Sequence, residues 1–220
     1  MEHSTKNNSR FHYLTQDLPD VSHQQLAEMA CRAGARWIQL RVKNRSYNEW
    51  IQIAKSVKQT CDQFTATLII NDNIEIAREV NAGGVHLGKS DQPVSEARKI
   101  LGEDKIIGGT ANTVEDILRL QLDGADYVGL GPFRFTATKE TLAAILGMEG
   151  YHKIFREAGL QIRIPVIAIG GITPEDVKEL MTTGIYGVAV SSAINKSPNQ
   201  EQAIGELLAL VSPGDTSHSC

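Results

Sequence analysis

The sequence predicts a single (β/α)₈ barrel, and three observations carry that prediction. Short apolar runs alternate with helical patterns from Phe11 onward, there are eight such runs, and the 220-residue length holds one barrel with no second domain. The runs are 11–15, 37–41, 67–71, 84–87, 106–109, 127–131, 165–169 and 187–190. Parallel neighbours need a long crossover, most often a helix, so strict alternation of this kind reads as a parallel sheet with helices outside it.

The helices are punctuated by their starts. Ser22 precedes Gln25-Leu26, Pro93 precedes Ser95-Glu96, Thr113 precedes Glu115-Asp116, and Thr173 is followed by Pro174-Glu175. A capping hydroxyl or an N1-type proline with early acidic residues satisfies free amides and opposes the helix dipole. Gly34, Gly124, Gly159 and Gly184 close helices just before the next strand. The barrel is expected to span 11–211. Flexible polar tails are expected at 1–10 and 212–220.

Composition excludes several classes. With 22 basic and 26 acidic residues and no basic stripe, the chain is not expected to bind nucleic acid. No apolar segment reaches membrane length and the N-terminus lacks a signal-peptide pattern, so no membrane partner and a cytoplasmic location are expected. Cys31 and Cys61 fall in helical patterns and Cys220 in the tail, without CxxC spacing. They read as structural or incidental thiols.

A barrel of this kind places its active site at the C-terminal ends of its strands. Along 37–43, Ile38, Leu40 and Val42 form one face, directed at the helices, and Gln39, Arg41 and Lys43 the other, directed at the barrel axis and mouth. Cations held there are costly unless an anion binds them. After the sixth strand, Thr136-Ala137-Thr138-Lys139 supplies two hydroxyls and an ammonium, a set suited to phosphate oxygens.

The third strand ends in Asn71-Asp72, and Asp91 lies in the loop after the fourth. Two carboxylates beside cations suit Mg²⁺, which takes carboxylates together with substrate phosphate oxygens. A helix N-cap role would explain either carboxylate equally well. His86, inside an apolar run, reads as a satisfied core histidine. Gly170-Gly171 and Ser191-Ser192 follow the seventh and eighth strands, where barrels commonly bind phosphate on glycine amides and the start of a short extra helix.

Taken together, Gln39-Leu40-Arg41-x-Lys43, Asn71-Asp72, Val85-His86-Leu87-Gly88 with Asp91, Gly131-Pro132 with Thr136-x-Thr138-Lys139, Ala168-Ile169-Gly170-Gly171-Ile172 and Val190-Ser191-Ser192-Ala193-Ile194 resemble the thiamine-phosphate synthase family. The resemblance runs in order from about Phe11 to about Ile194. It implies a transferase that joins a pyrimidinylmethyl diphosphate to a thiazole phosphate, giving thiamine phosphate and pyrophosphate.

By that resemblance Gln39 and Thr110 contact the pyrimidine, and Arg41, Lys43, Asn71 and Lys139 hold the diphosphate. Asp72 and Asp91 carry Mg²⁺, the one cofactor implied. Thr136, Thr138, Gly170, Gly171, Ser191 and Ser192 hold the thiazole phosphate. Its implied mechanism is dissociative, with pyrophosphate leaving before the thiazole nitrogen captures a methylene cation. Arg41, Lys43 and Lys139 are then the catalytic residues, because they sit where charge develops. The partners are two small phosphorylated substrates, and a homodimer is compatible with the reading.

The chain departs from the family pattern in places. Gly109-Thr110 replaces a commoner Val-Ser, Lys89-Ser90 a Gln-acid pair, Phe135 a proline, and Glu140 a second lysine. Two other readings share the barrel: a thiazole tautomerase, which needs only the thiazole-phosphate half, and a sensor that binds a phosphorylated metabolite without turnover. The charged diphosphate half separates the synthase from both.

Overall fold

The computed structural model describes residues 8–135 and 144–212. Eight parallel strands close into a barrel in sequence order: β1 (Phe11–Leu14), β2 (Trp37–Leu40), β3 (Thr67–Asn71), β4 (Gly84–Leu87), β5 (Ile106–Ala111), β6 (Tyr127–Leu130), β7 (Val166–Ile169) and β8 (Gly187–Val190). The closing pair is β1 with β8, in register from Phe11 opposite Val188 to Tyr13 opposite Val190.

The crossovers are α1 (His23–Arg32), α2 (Tyr47–Gln63), α3 (Ile74–Glu79), α4 (Val94–Leu101), α5 (Val114–Leu122), α6 (Gly147–Ala158) and α7 (Pro174–Thr182). After β8 comes the expected short extra helix, α8 (Ser192–Asn195), and then α9 (Gln200–Val211).

The predicted starts hold at Ser22 and Thr113, whose hydroxyls accept from the amides of Gln25 and Asp116 at 3.2 Å in both cases. The start holds at Thr173 as well, which is the N-cap of α7 with Pro174 behind it, and it donates from its amide and its hydroxyl to the Asp176 carboxylate, 2.9 Å each. Pro93 opens α4 without a side-chain cap. Gly34, Gly124 and Gly184 end their helices at positive φ, whereas Gly159 stays helical at φ −55°.

Two cores result from strand alternation. Ile38, Leu40 and Val42 join the large layer between sheet and helices, as the sequence predicts. Inside the barrel Leu14, Trp37, Ile69, Ile106, Tyr127, Ile167 and Ala189 form a second, smaller core. His12 stacks on Trp37 with ring centroids 4.1 Å apart and meets the Tyr127 ring edge-on at 5.2 Å. Burial pushes the His12 imidazole down to about 3, so it sits neutral in this floor.

Strand ends differ from expectation mainly at β5. Predicted to stop at Gly109, it runs to Ala111, with Thr110 paired opposite Gly129 and Ala111 opposite Leu130. Residues 8–10, placed by the sequence in the N-terminal tail, are tied to the barrel: Tyr186 Oη donates to the Asn8 carbonyl (2.8 Å) and the Val188 amide to that of Arg10 (2.8 Å). Of the C-terminal tail, Ser212 is described, its amide and hydroxyl donating to the Leu208 carbonyl at 3.2 and 2.8 Å, and residues 1–7 and 213–220 lie outside the described ones. Among the described residues no helix is long and apolar enough to cross a membrane.

Candidate active site

A cavity of about 900 Å³ opens at the C-terminal ends of the strands. Eleven of the residues proposed from the sequence line it: Gln39, Arg41, Lys43, Asn71, Asp72, Asp91, Thr110, Gly170, Gly171, Ser191 and Ser192. The other three, Thr136, Thr138 and Lys139, lie outside the described residues.

One wall is built by β2, β3 and the loop after β4. Gln39 is buried and donates from Nε2 to Asn71 Oδ1 at 2.8 Å, which ties the two amides together, and both residues line the cavity. The backbone beyond β2 is held from outside the site. The Arg41 amide donates to Thr15 Oγ1 (3.2 Å) and the Lys43 amide to Asp17 Oδ2 (2.9 Å). Thr15 is in turn bonded to His23 Nδ1 at 2.8 Å. The two cations therefore stand on an anchored strand extension.

Asp72 adopts φ +69°, a left-handed conformation that non-glycine residues rarely hold without a reason in the surrounding structure. Its amide donates to the His86 carbonyl at 2.8 Å. The N-cap alternative fails for both carboxylates. Asn73 caps α3, its Oδ1 accepting from the Ile76 amide at 2.9 Å. Asp91 Oδ2 accepts from the Gly88 amide at 2.6 Å, closing its own loop rather than capping α4. A Cβ on Gly88 would lie 3.0 Å from Asp91 Oδ2 and 4.0 Å from Asp72 Oδ1, so both carboxylates crowd one stretch of backbone. Among the described residues no group of three or more His, Cys, Asp or Glu gathers to hold a metal.

The opposite wall is built by β7, β8 and α8. Gly170 and Gly171 both take positive φ, +99° and +71°, and turn the chain beneath the cavity. Arg134 pins that turn: its guanidinium donates to the Gly171 carbonyl at 3.0 Å and makes a bidentate pair with Asp176 at 2.7 Å on both arms. Partial burial raises the Asp176 pKa, but Arg134 and the Thr173 donors outweigh it and hold the carboxyl below its usual value. Ser191 does not cap α8 with its hydroxyl. Ser191 Oγ donates to the Leu14 carbonyl at 2.8 Å and accepts from Asn195 Nδ2 at 3.4 Å. Ser192 Oγ accepts from Gln16 Nε2 at 3.2 Å.

A family model described as thiamine monophosphate synthase matches residues 14–194. The chain belongs to that family. It is 50% identical over 179 residues to the thiamine-phosphate synthase of Flavobacterium psychrophilum, covering 81% of this chain and 87% of that protein. To the Bacteroides fragilis thiamine-phosphate synthase it is 46% identical over 199 residues, 89% and 97% of the two chains. The solved thiamine phosphate pyrophosphorylase of Pyrococcus furiosus superposes with a TM-score of 0.81 at 32% identity, covering 92% of this chain and 95% of that one. Family membership puts the chain among the enzymes of thiamine biosynthesis.

The cavity is also lined by residues that the sequence does not mark. His86 lines the cavity as well as being satisfied, with Nδ1 3.1 Å from Tyr127 Oη and Nε2 3.1 Å from Thr110 Oγ1. Lys89 also lines it, paired with Asp116, whose amide neighbours at Asn112 and Thr113 share the same carboxylate. Asn112, just past β5, and Lys196, just past α8, line it too. No spacing pattern marks Lys196; Lys89 stood out only as a departure from the family.

Proposed function

We propose that the chain is a Mg²⁺-dependent transferase that condenses 4-amino-2-methyl-5-(diphosphooxymethyl)pyrimidine with a thiazole phosphate, releasing pyrophosphate and thiamine phosphate. The observation that carries this reading is the division of one cavity into two unlike walls. Arg41, Lys43, Asn71, Asp72 and Asp91 stand on one, and Gly170, Gly171, Ser191 and Ser192 on the other. A substrate with a leaving diphosphate and one with a spectator phosphate would use these walls differently.

In this reading Gln39, oriented by Asn71, reads the aminopyrimidine, and Thr110 contacts it from β5. Arg41, Lys43 and Asn71, with Lys139 beyond the described residues, hold the diphosphate. The bond from the pyrimidine methylene carbon to the diphosphate oxygen breaks with its electron pair leaving on oxygen. The thiazole nitrogen lone pair then forms the new carbon–nitrogen bond. Charge grows on the departing pyrophosphate, where fixed cations lower the barrier most.

Asp72 and Asp91 are the residues that would hold Mg²⁺. The fit rests on two hard oxygen donors at one stretch of backbone and on the left-handed conformation of Asp72. Bound there, the ion would supply charge neutralisation to the leaving group. With only two carboxylates at hand, the remaining coordination would come from substrate and water, so affinity for the ion alone would be weak. The proposed phosphate of the second substrate would rest on the Gly170-Gly171 turn, with Ser191, Ser192, Thr136 and Thr138 around it.

Incubation with both substrates and Mg²⁺, with thiamine phosphate and pyrophosphate assayed as products, tests the proposal. Formation of both in equal amounts is expected. Turnover of the thiazole phosphate without pyrophosphate release would overturn it in favour of an isomerase.

A further inference from the structure

His86 sits between two hydroxyls, and only one arrangement of protons satisfies all three groups. Its Nδ1 is 3.1 Å from Tyr127 Oη and its Nε2 is 3.1 Å from Thr110 Oγ1. Tyr127 is fully buried among Trp37, His12 and Gly108, and among the described residues its hydroxyl makes its one hydrogen bond to His86. Burial, with Asp126 as a lesser cause, pushes the phenol pKa up, so the proton stays on Tyr127. A buried hydroxyl proton without an acceptor is costly. His86 Nδ1 must therefore accept it.

The rest follows from imidazole chemistry. A neutral ring whose Nδ1 accepts carries its proton on Nε2. That N–H donates to Thr110 Oγ1 and occupies a lone pair of the hydroxyl. The Thr110 proton is thereby released from His86 and turned to the cavity, which Thr110 lines. The opposite tautomer would take the Thr110 proton and orphan that of Tyr127. An imidazolium would orphan it as well.

The backbone is shaped for this chain of groups. A Cβ at Gly108 would lie 2.6 Å from Tyr127 Oη, and one at Gly129 would lie 3.0 Å from His86 Cε1. Glycines on β5 and β6 thus make room for both rings at adjacent levels, with His86 opposite Gly108 and Thr110 opposite Gly129 in the sheet register.

We infer that Tyr127 locks His86 as the neutral Nε2–H tautomer, so that Thr110 presents a hydroxyl proton to the cavity and selects a substrate carrying a hydrogen-bond acceptor there. Resting on the proposed function, the acceptor is a ring nitrogen of the aminopyrimidine. His86 and Tyr127 are positioning residues in this scheme, and Thr110 makes the contact. A threonine can serve where a serine is commoner, because the hydroxyl direction is set by His86.

Nitrogen-15 spectra of histidine-labelled protein read the tautomer directly, independently of any activity. Nε2–H is expected for His86 in the full-length wild-type chain, and conversion to a tautomer mixture in Tyr127→Phe. A predominantly Nδ1–H or doubly protonated His86 in the wild type overturns the inference, even in an active enzyme. Kinetics supply the second arm. Thr110→Val should lower kcat/KM for the pyrimidine diphosphate by about tenfold, with Thr110→Ser restoring it and KM for the thiazole phosphate unmoved. Tyr127→Phe should lower it by about fivefold, and Tyr127→Phe/Thr110→Val should be no worse than Thr110→Val alone, since both act through one contact. A double variant whose loss is the product of the two single losses overturns the coupling. Should the wild type make no thiamine phosphate, the functional reading and the pyrimidine acceptor fall together, while the spectrum still decides the tautomer.

Discussion

The wall built from β2, β3 and the β4 loop and the wall built from β7, β8 and α8 face one cavity but are made of different groups. The first presents charged ends: Arg41, Lys43, Asp72 and Asp91. The second presents a turn of two glycines at positive φ and two serine hydroxyls. Fixed charge is most useful where charge changes during reaction, and backbone donors are sufficient where a group is held unchanged. The contrast is what a transferase with one reacting diphosphate and one spectator phosphate would need. It also predicts how each wall responds to substitution: loss of turnover on the first, loss of affinity on the second.

The largest effect is expected at the proposed metal carboxylate. Asp72→Asn should lower turnover by about a hundredfold or more, because it removes charge facing the leaving group. Asparagine is the right replacement, since it tolerates the left-handed conformation at φ +69° that alanine would strain. The thermal unfolding midpoint should stay close to wild type, and excess EDTA should abolish turnover of the unmodified enzyme. Full turnover in EDTA would remove Mg²⁺ from the scheme.

Next in size are Arg41→Ala and Lys139→Ala, each expected to lower turnover by about tenfold or more. Neither should shift KM for the thiazole phosphate. If both variants turn over at the wild-type rate, the first wall has no leaving group to stabilise, and an isomerase or a sensor explains the cavity better.

The part of this site legible in the sequence is the part written by strand periodicity. Gln39, Arg41 and Lys43 fall on the axial face because Ile38, Leu40 and Val42 occupy the other, and both faces are found as read. Thr110 falls one residue past the run 106–109 read from the sequence, and the structure takes it into β5 behind Gly108 and Gly109. The small size of those glycines serves the packing: a Cβ would lie 2.2 Å from Tyr127 Cζ at Gly108 and 2.6 Å from a Leu120 methyl at Gly109. Loop contacts were not legible. The pairing of Lys89 with Asp116, the closure of Asp91 on Gly88 and the clamp of Arg134 on Gly171 and Asp176 join residues whose meeting depends on loop paths. That Ser191 bonds to the Leu14 carbonyl was hidden for the same reason, since β1 and β8 meet only when the barrel closes.

On the second wall the larger effect belongs to the turn. Gly171→Val places a branched residue at φ +71°, and its Cβ would lie 3.0 Å from Arg134 Cβ and 3.1 Å from the Phe135 carbonyl. The damage therefore comes first through the loop after β6, which must shift, rather than by filling phosphate space directly. KM for the thiazole phosphate should rise by about tenfold or more, with a lower unfolding midpoint from the strained backbone. A variant that weakened only the pyrimidine diphosphate would show that the two walls have been assigned in reverse.

The smallest effect, and the sharpest on the contrast between walls, is expected for Ser192→Ala. The Ser192 hydroxyl lines the cavity and accepts from Gln16 Nε2 at 3.2 Å, so its removal deletes a neutral hydrogen-bonding group at the edge of the site. The amides of the Gly170-Gly171 turn and of the start of α8 remain in place, and those would hold most of the phosphate. Loss of one neutral hydrogen bond is worth about 0.5–1.5 kcal/mol, and the low end applies to a half-buried group that water can replace. KM for the thiazole phosphate should therefore rise about two- to threefold, with kcat within error of wild type, the pattern of binding lost equally from ground and transition states. Steady-state kinetics with each substrate varied in turn measure both quantities. A fall in kcat comparable to that of Arg41→Ala would mean that the phosphate held on this wall takes part in the chemical step, and the division of labour between charged and backbone-built walls would not stand.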